Sequence, residues 1–437
     1  MDEPILGTAL TVSVCVNATV TGRFQSVNDL ERAVVVAAQK AGCELYVEAF
    51  KAFQSNWLEC RRDRFIAQRW RRIGWCTPFG PVELPVRLVR EKSSGKYFTL
   101  SKVLWRRKAT RRLSPMLEQW AAAEATAQNY RPAARSLSRW IGQRVGYWLV
   151  WACVQFHGAR RLLELEKLPP PAVHPLNTPA LTTEVDSTFL KAQQRHRRGG
   201  PRHFPVHLGL HYTGRIRRYQ ARGSKSVRLQ NKTLLATTEP LALFGSQMQR
   251  EALRRFHPQH HVILSDGEEG LRWLRQKHFP QATWLLDRWH ITQAVRAFVA
   301  NNQDEYHRIM QPVWRADSEL VLESLRTSPL RSRRPKEFRE LFGYILGNRE
   351  GIDAWKTLPG NLRRSIGCTA APVKCGSGAV EKNIEVEINR RFKRQGRSWN
   401  RLRAQRLLQL KLLLNNPRLW NQWWSKPKSL SPKPNPP

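Results

Sequence analysis

The stretch from His261 to Asn302 does most to limit what this chain can fold into. It reads as an apolar run, "HVILSD", a helical "EEGLRWLRQKHF", a second apolar run, "ATWLLD", and a second helical "RWHITQAVRAFVANN". Short apolar runs alternating with helical patterns build layered α/β structure, because each strand buries a face under the helix beside it. Upstream, Thr182–Leu190 ("TTEVDSTFL"), His207–Tyr212 ("HLGLHY") and Arg228–Thr237 ("RLQNKTLLAT") read as successive strands, and Leu243–Arg255 as a helix. A strand meander followed by strand–helix–strand–helix predicts an α/β domain on a mixed sheet.

The Pro-rich "LPPPAVHPLNTPA" makes residues 168–180 a linker and a domain boundary. Before it, residues 1–71 read as a short strand and then a helix capped by Asn28. Residues 72–112 alternate and are broken by Gly and Pro, with "SSGK" as a hairpin turn; they predict a small β module. Residues 113–167 give helices with a break near Gly142–Arg144, the punctuation of a helix-turn-helix-like DNA-binding region or of a plain helical hairpin. Beyond the linker, the α/β pattern fills residues 181–300 and a purely helical pattern residues 301–371. Residues 372–416 open on a Gly-Ser-Gly break and continue as a long helix with Val380, Ile384 and Ile388 every fourth residue. Residues 417–437 read as a disordered tail, most clearly from Lys426 on.

Charge narrows the partner. There are 74 Lys and Arg against 34 acids, a formal net charge of +40. Solubility alone needs a net charge of about 2–8 on a small domain. An excess spread along the whole chain points to a polyanion, and the abundance of Arg favours the phosphates of nucleic acid over a membrane surface. No run is apolar enough to span a bilayer. The mildly apolar "ILGTALTVSVCVNATVTG" follows Asp2 and Glu3 instead of a basic stretch, so it is not read as a signal peptide. Seven scattered cysteines with no CxxC pair predict free thiols in a reducing compartment.

Against this basic background three acids stand out. Asp186 sits within "EVDSTF", Asp266 ends "VILSD", and Glu381 follows the Gly-Ser-Gly break. Each lies in apolar or tightly turned sequence, where an unpaired charge is costly. Brought together they would raise one another's pKa values, and a divalent cation relieves that. Two Asp and one Glu supply hard oxygen donors suited to Mg2+ or Mn2+, and two such ions can promote reaction at a phosphodiester. Glu385, one helical turn beyond Glu381, is a rival for the third position. Asp266 also suits a helix cap for the segment after it.

Taken in order, "EVDSTF", "LSDGEEGLRWL", "LLDRWHI" and "GSGAVEKNIEVEINRRFKRQGRSW" resemble the signatures of DDE transposases of bacterial insertion sequences, most closely the Mutator-like branch with its D-x-x-H motif. The likeness covers roughly residues 114–416. It implies a ribonuclease H-like catalytic domain, with helices on both faces of a mixed sheet, interrupted by an all-α insertion; residues 181–300 and 372–416 would form that domain and 301–371 the insertion. The interval between Asp266 and Glu381 is too long for a plain ribonuclease H fold and leaves room for such an insertion.

By this resemblance Asp186, Asp266 and Glu381 are the catalytic, metal-binding triad, with two Mg2+ or Mn2+ ions per active site. Asp287 and His290 match D-x-x-H, either supporting the active site or contacting DNA near the cut, or forming a structural pair at a helix start. Arg390, Arg391, Lys393, Arg394 and Arg397 would track the DNA backbone. Trp399 would stack on an unpaired base or simply pack in a core. The implied function is metal-dependent cleavage at transposon ends and strand transfer into target DNA. The implied partners are double-stranded DNA, as terminal inverted repeats and target, and a second copy or more of the chain. The implied setting is a bacterial cytoplasm, at the nucleoid. A ribonuclease H-like nuclease or resolvase without strand transfer, and a catalytically inactive DNA-binding derivative, are the alternatives.

Overall fold

The computed structural model describes residues 12–101, 113–166, 175–193, 201–219, 225–360, 362, 378–394 and 397–425, with backbone alone at 217–219 and 225–227. The chain divides into two compact units, Met1–Glu166 with Gln409–Pro437, and Lys167–Leu408.

The first unit opens with helix α1 (Val27–Glu59). Its cap is Ser26, whose hydroxyl accepts from Asp29 N at 3.2 Å; Asn28, the cap expected from sequence, already lies inside the helix. No strand precedes it among the described residues. Strands β1 (Phe65–Thr77), β2 (Gly80–Glu91) and β3 (Tyr97–Thr99) form an antiparallel sheet in that order. The β module thus starts at Phe65, not at residue 72. Phe65 and Ile73 pack on a core of Trp57, Leu58, Val86, Val89 and Leu100, so the start of β1 is held by α1. The buried Gln54 amide donates to Pro85 O at 2.8 Å and accepts from Arg87 N at 2.9 Å, tying α1 to β2.

Three helices follow: α2 (Pro115–Ala127), α3 (Tyr130–Ile141) and α4 (Tyr147–Glu166). Ser114 caps α2 with Pro115 in its first turn, and Gly142 ends α3 in the left-handed conformation, φ +67°. The sequence assigns residues 417–437 to a tail, but Pro417–Ser425 form a helix of this unit. Trp420 and Trp423 are buried, Arg160 lies over the Trp423 ring, and Trp424 packs on His157. Three tryptophans in nine residues supply the apolar area that the rest of the tail lacks.

The second unit is built on a five-stranded mixed sheet. Its strands are β4 (Leu176–Lys191), β5 (His203–Tyr212), β8 (Thr233–Thr237), β9 (Phe256–Ser265) and β10 (Thr283–Leu286), ordered β10-β9-β4-β5-β8. β5 runs antiparallel to both β4 and β8, while β9 runs parallel to β4 and β10. Two sequence boundaries move. Residues 176–180, expected in the linker, belong to β4, because Leu176–Thr178 pair with Phe256–Pro258 of β9. The run Arg228–Thr237 is two strands, β8 and the end of β7 (Lys225–Gln230), which pairs with β6 (Gly214–Tyr219). The chain turns between them at Asn231, φ +49°, a conformation Asn tolerates better than most residues.

Side chains alternate across β4 as a strand requires. Leu181 and Val185 join Ile263 under helices α5 (Leu241–Arg255) and α6 (Glu269–His278) through Phe244, Met248, Leu271 and Leu274. Ala180 points to the opposite face, with Val262, Leu264, Leu285 and Trp355. Glu184 and Asp186 share the parity of Ala180.

After β10 come α7 (Arg288–Val299), α8 (Gln303–Trp314), α9 (Ser318–Arg326), α10 (Leu330–Arg333), α11 (Pro335–Gly347) and α12 (Arg349–Thr357). Their shared core of Ile291, Val295, Phe298, Ile309, Val313, Leu322 and Ile345 continues into Trp284 and Leu286 of the sheet. Trp355 Nε1 donates to Leu286 O at 2.9 Å, and Gly351 lets α12 approach so closely that a Cβ there would meet Leu286 N at 3.0 Å.

Helix α13 (Gly378–Asn383) continues as a π-helix over Ile384–Lys393, and α14 (Arg401–Leu414) follows. A stripe repeating every four residues drifts around an α-helix of 3.6 residues per turn. Widening the turns keeps Val380, Ile384, Ile388 and Phe392 all on the buried side.

Candidate active site

Asp266 and Asp287 directly follow the carboxyl ends of β9 and β10, and Asp186, within β4, lies level with them just past the last β4–β9 pair. β4 pairs with β9 through Thr182–Val262, Thr183–Ile263 and Glu184–Leu264, and continuing this register sets Asp186 beside Asp266. β10 pairs with β9 up to Leu286–Ser265, so Asp287 also falls level with Asp266. Asp287 N donates to Ser265 O at 2.9 Å, extending the ladder by one bond. The crevice beyond the carboxyl ends of parallel strands is where open α/β sheets hold ligands.

Each aspartate is fixed locally. Asp186 Oδ1 accepts from Ser187 N at 2.6 Å. Asp266 Oδ1 accepts from Glu268 N at 2.9 Å, closing the turn before α6; the helix cap itself is Glu268. Asp287 is fully buried, and its Oδ1 caps α7 by accepting from Trp289 N at 2.7 Å.

Glu381 enters from the first turn of α13. His290, one turn into α7, bridges the groups: its Nε2 lies 3.5 Å from Glu381 Oε1 and 3.9 Å from Asp287 Oδ2. One ligating atom from each of Asp287, His290 and Glu381 falls within 4.8 Å of the others. Asp186 and Asp266 are not in that tight group, but their charges are felt. Burial pushes the Asp186 carboxyl up to about 6; its bond to Ser187 opposes this, Asp266 and Glu381 add to it, and His290 opposes it. Burial and then the Asp266 charge also raise Glu268.

The rival Glu385 is engaged elsewhere. It lies 3.5 Å from both Arg390 and Arg394, whose side chains are 52 % and 63 % exposed. Those two cations sit at the surface. Lys393 donates to Thr188 Oγ1, and Arg397 to Arg391 O. Arg391 departs from the expected backbone track, and Trp399 takes the core alternative. Arg391 is 1 % exposed and lies over the Trp399 ring, and Trp399 is 9 % exposed, donating Nε1 to Phe392 O at 2.8 Å. The pair is a buried cation–π stack, so neither is presented to a phosphate or a base.

Several residues around the site carry no sequence signal of their own. Glu184, fully buried, accepts from Val380 N at 2.8 Å, from Tyr212 OH at 2.7 Å and from Arg215 at 2.7 Å. Tyr344, on α11, donates to Asp266 O at 2.7 Å, and burial followed by the Asp266 and Asp287 charges raises its phenol. Gly267 has φ +84°, and a Cβ there would meet Asn348 Oδ1 and Leu286 Cδ1 at 2.6 Å. Only the Glu184–Asp186 spacing of two, which puts both on one strand face, was open to reading.

Fold and site together define a strongly basic α/β protein with carboxylates converging at the end of a mixed sheet and a helical subdomain packed beside them. The chain belongs to an uncharacterised protein family, UPF0236, whose model matches residues 21–423. No curated protein matches it. Among solved structures it is similar to one described as the Drosophila P element transposase strand transfer complex, at 9 % identity and a TM-score of 0.36, covering 70 % of this chain and 93 % of that one. Among the described residues no helix is long and apolar enough to cross a membrane.

Proposed function

We propose that this protein is a DDE-type DNA transposase with a ribonuclease H-like catalytic domain. The observation that carries the reading is Asp186, which burial and then the nearby charges of Asp266 and Glu381 push up to about 6 in a chain of net charge +40. Three further features support it. The sheet has an antiparallel half and a parallel half with helices on both faces. Helices α8 to α12 lie between the second acid and the third. The D-x-x-H residues Asp287 and His290 lie against Glu381.

The donor set fits a hard divalent cation. Carboxylate oxygens predominate, and Asp186 is partly desolvated beside two like charges, a setting that a cation relieves. Asp186, Asp266 and Glu381 would hold two Mg2+ or Mn2+ ions, with Asp287 and His290 adjoining. When bound, such ions stabilise charge developing on a phosphodiester undergoing displacement. The chain itself fixes the acids: the β4–β9–β10 ladder sets three, and α13 brings the fourth. His290 sits between Glu381 and Asp287 and steadies the carboxylate it faces. Arg390 and Arg394 can exchange Glu385 for DNA phosphate. On this reading water attacks the phosphodiester at the element end, releasing a 3′-hydroxyl, and that hydroxyl then attacks a target phosphodiester, breaking its P–O3′ bond and releasing a target 3′-hydroxyl. The helices before Lys167 would recognise the terminal repeats, and synapsis of two ends would require at least two copies of the chain.

The test uses DNA carrying the inverted repeats that this reading expects to flank the coding region. Wild-type protein with Mg2+ is expected to nick at the repeat ends and to join a pre-cut 3′-hydroxyl end to a second duplex. Asp186→Asn, Asp266→Asn and Glu381→Gln are expected to lose both reactions while still binding the repeats in EDTA. Nicking undiminished in Asp186→Asn would end the enzyme reading, and hydrolysis with no joined product would make the protein a nuclease.

A further inference from the structure

Glu184 is a poor choice for stability. It is an acid with no exposed surface, and burying an ion pair is often no better than filling the space with apolar side chains. Yet it is fully engaged. One oxygen, Oε1, takes Tyr212 OH and Arg215 Nη2, each at 2.7 Å. The other, Oε2, takes the backbone N–H of Val380 at 2.8 Å. Arg215 also donates to Tyr212 OH, at 2.8 Å through Nη2 and 3.2 Å through Nε, so the two donors brace each other.

The consequence lies in what these partners are attached to. Two residues after Glu184 on the same strand face is Asp186, and one residue after Val380 is Glu381. The Val380 bond spans a sequence separation of 196 residues, and it joins the strand that carries the first acid to the helix that carries the third. Tyr212 pairs in register with Thr182 of the same strand, so the grip on Oε1 comes from the sheet itself. The carboxylate is therefore fixed by the sheet on one side and fixes α13 on the other.

We propose that Glu184 is a positioning residue for the cation site: by clamping Val380 N–H to β4 it sets Glu381 at the distance from Asp186 at which both can serve the same ions. The inference rests on the metal-dependent reading above. It predicts that loss of Glu184 spoils cation affinity even where the fold survives, since residues orienting metal-holding groups typically contribute roughly 10–100-fold to metal affinity.

The experiment measures Mn2+ binding to the full-length protein, without DNA, by calorimetry and by the Mn2+ spin-resonance signal, well below the melting transition. Wild type is compared with Glu184→Gln, which keeps size and shape, and with Tyr212→Phe, which removes one donor and leaves the Arg215 and Val380 bonds. Glu184→Gln is expected to weaken Mn2+ binding by about 10–100-fold. Tyr212→Phe is expected to weaken it about two- to tenfold, the effect of one hydrogen bond. A purely structural role would lower the melting temperature and leave Mn2+ affinity of the folded protein unchanged, which would overturn the proposal. Should Glu184→Gln fail to fold, an unchanged affinity in Tyr212→Phe overturns it equally. Wild type that binds no Mn2+ would instead overturn the metal-dependent reading, and this inference with it.

Discussion

Replacing Gly267 by alanine tests how tightly the Asp266 turn is built into its surroundings. Gly267 has φ +84°, a region that costs an L-residue about 1–2 kcal/mol. The new methyl would also meet Asn348 Oδ1 and Leu286 Cδ1, each at 2.6 Å. Neither can swing aside cheaply. Leu286 is completely buried, and Asn348 is 2 % exposed with its amide donating to Tyr344 O at 2.7 Å. Overpacking of this kind costs about 1–3 kcal/mol. The two effects together give about 2–5 kcal/mol, which in a unit of this size lowers the melting temperature by on the order of 10 °C. Gly343→Ala is the matched control. Gly343 lies within α11, and a methyl added there would find nothing within 4 Å, so alanine is expected to stabilise by about 0.5–1 kcal/mol. Scanning calorimetry reads both. A Gly267→Ala protein melting within about 2 °C of wild type would refute the packing argument for this turn.

Other perturbations have equally definite outcomes. His207 and His211 are lowered to about 4 and His261 to about 3, chiefly by burial, so between pH 6.5 and 4 the unfolded chain binds more protons than the folded one. Asp186, raised to about 6, and Glu184, also raised, act in the opposite sense. Stability to urea without divalent ions should therefore fall as pH drops from 6.5 towards 4, with a net slope of roughly one to two protons; a flat profile would contradict neutral buried histidines. Arg390→Ala with Arg394→Ala should weaken DNA binding at all sequences and reduce the slope of log K against log salt by about 2, measured by fluorescence anisotropy. Tyr344→Phe leaves Asp266 O without its 2.7 Å donor and should cost about 1 kcal/mol, with faster amide exchange through Gly267 and Glu268.

Much of the second unit could be read in the residues because its signals are local. The strands ending at Asp266 and Asp287 announce themselves as apolar runs stopped by an acid, and the helices between them by their 3.6-residue period. Local signals mislead where a distant partner decides. Leu176–Thr178 look like linker until β9 pairs with them, and the last tryptophans look like tail until His157 and Arg160 cover them. Asn231 breaks an apparently continuous strand through one left-handed dihedral, which no periodicity records. Arg391 reads as a surface cation within a basic run, yet it stacks in the interior on Trp399.

By itself, the order of residues picked out the candidate acids: Asp186 within an apolar strand, and Asp266 and Asp287 where apolar runs stop. Their relation was decided only by folding. Strand register set Asp186, Asp266 and Asp287 level, α7 brought His290 to Glu381, and one buried carboxylate tied α13 to β4. The reason is physical. Helix and strand periods act over a few residues, whereas hydrogen-bond register and burial join positions far apart in the chain, and only the closed structure satisfies both.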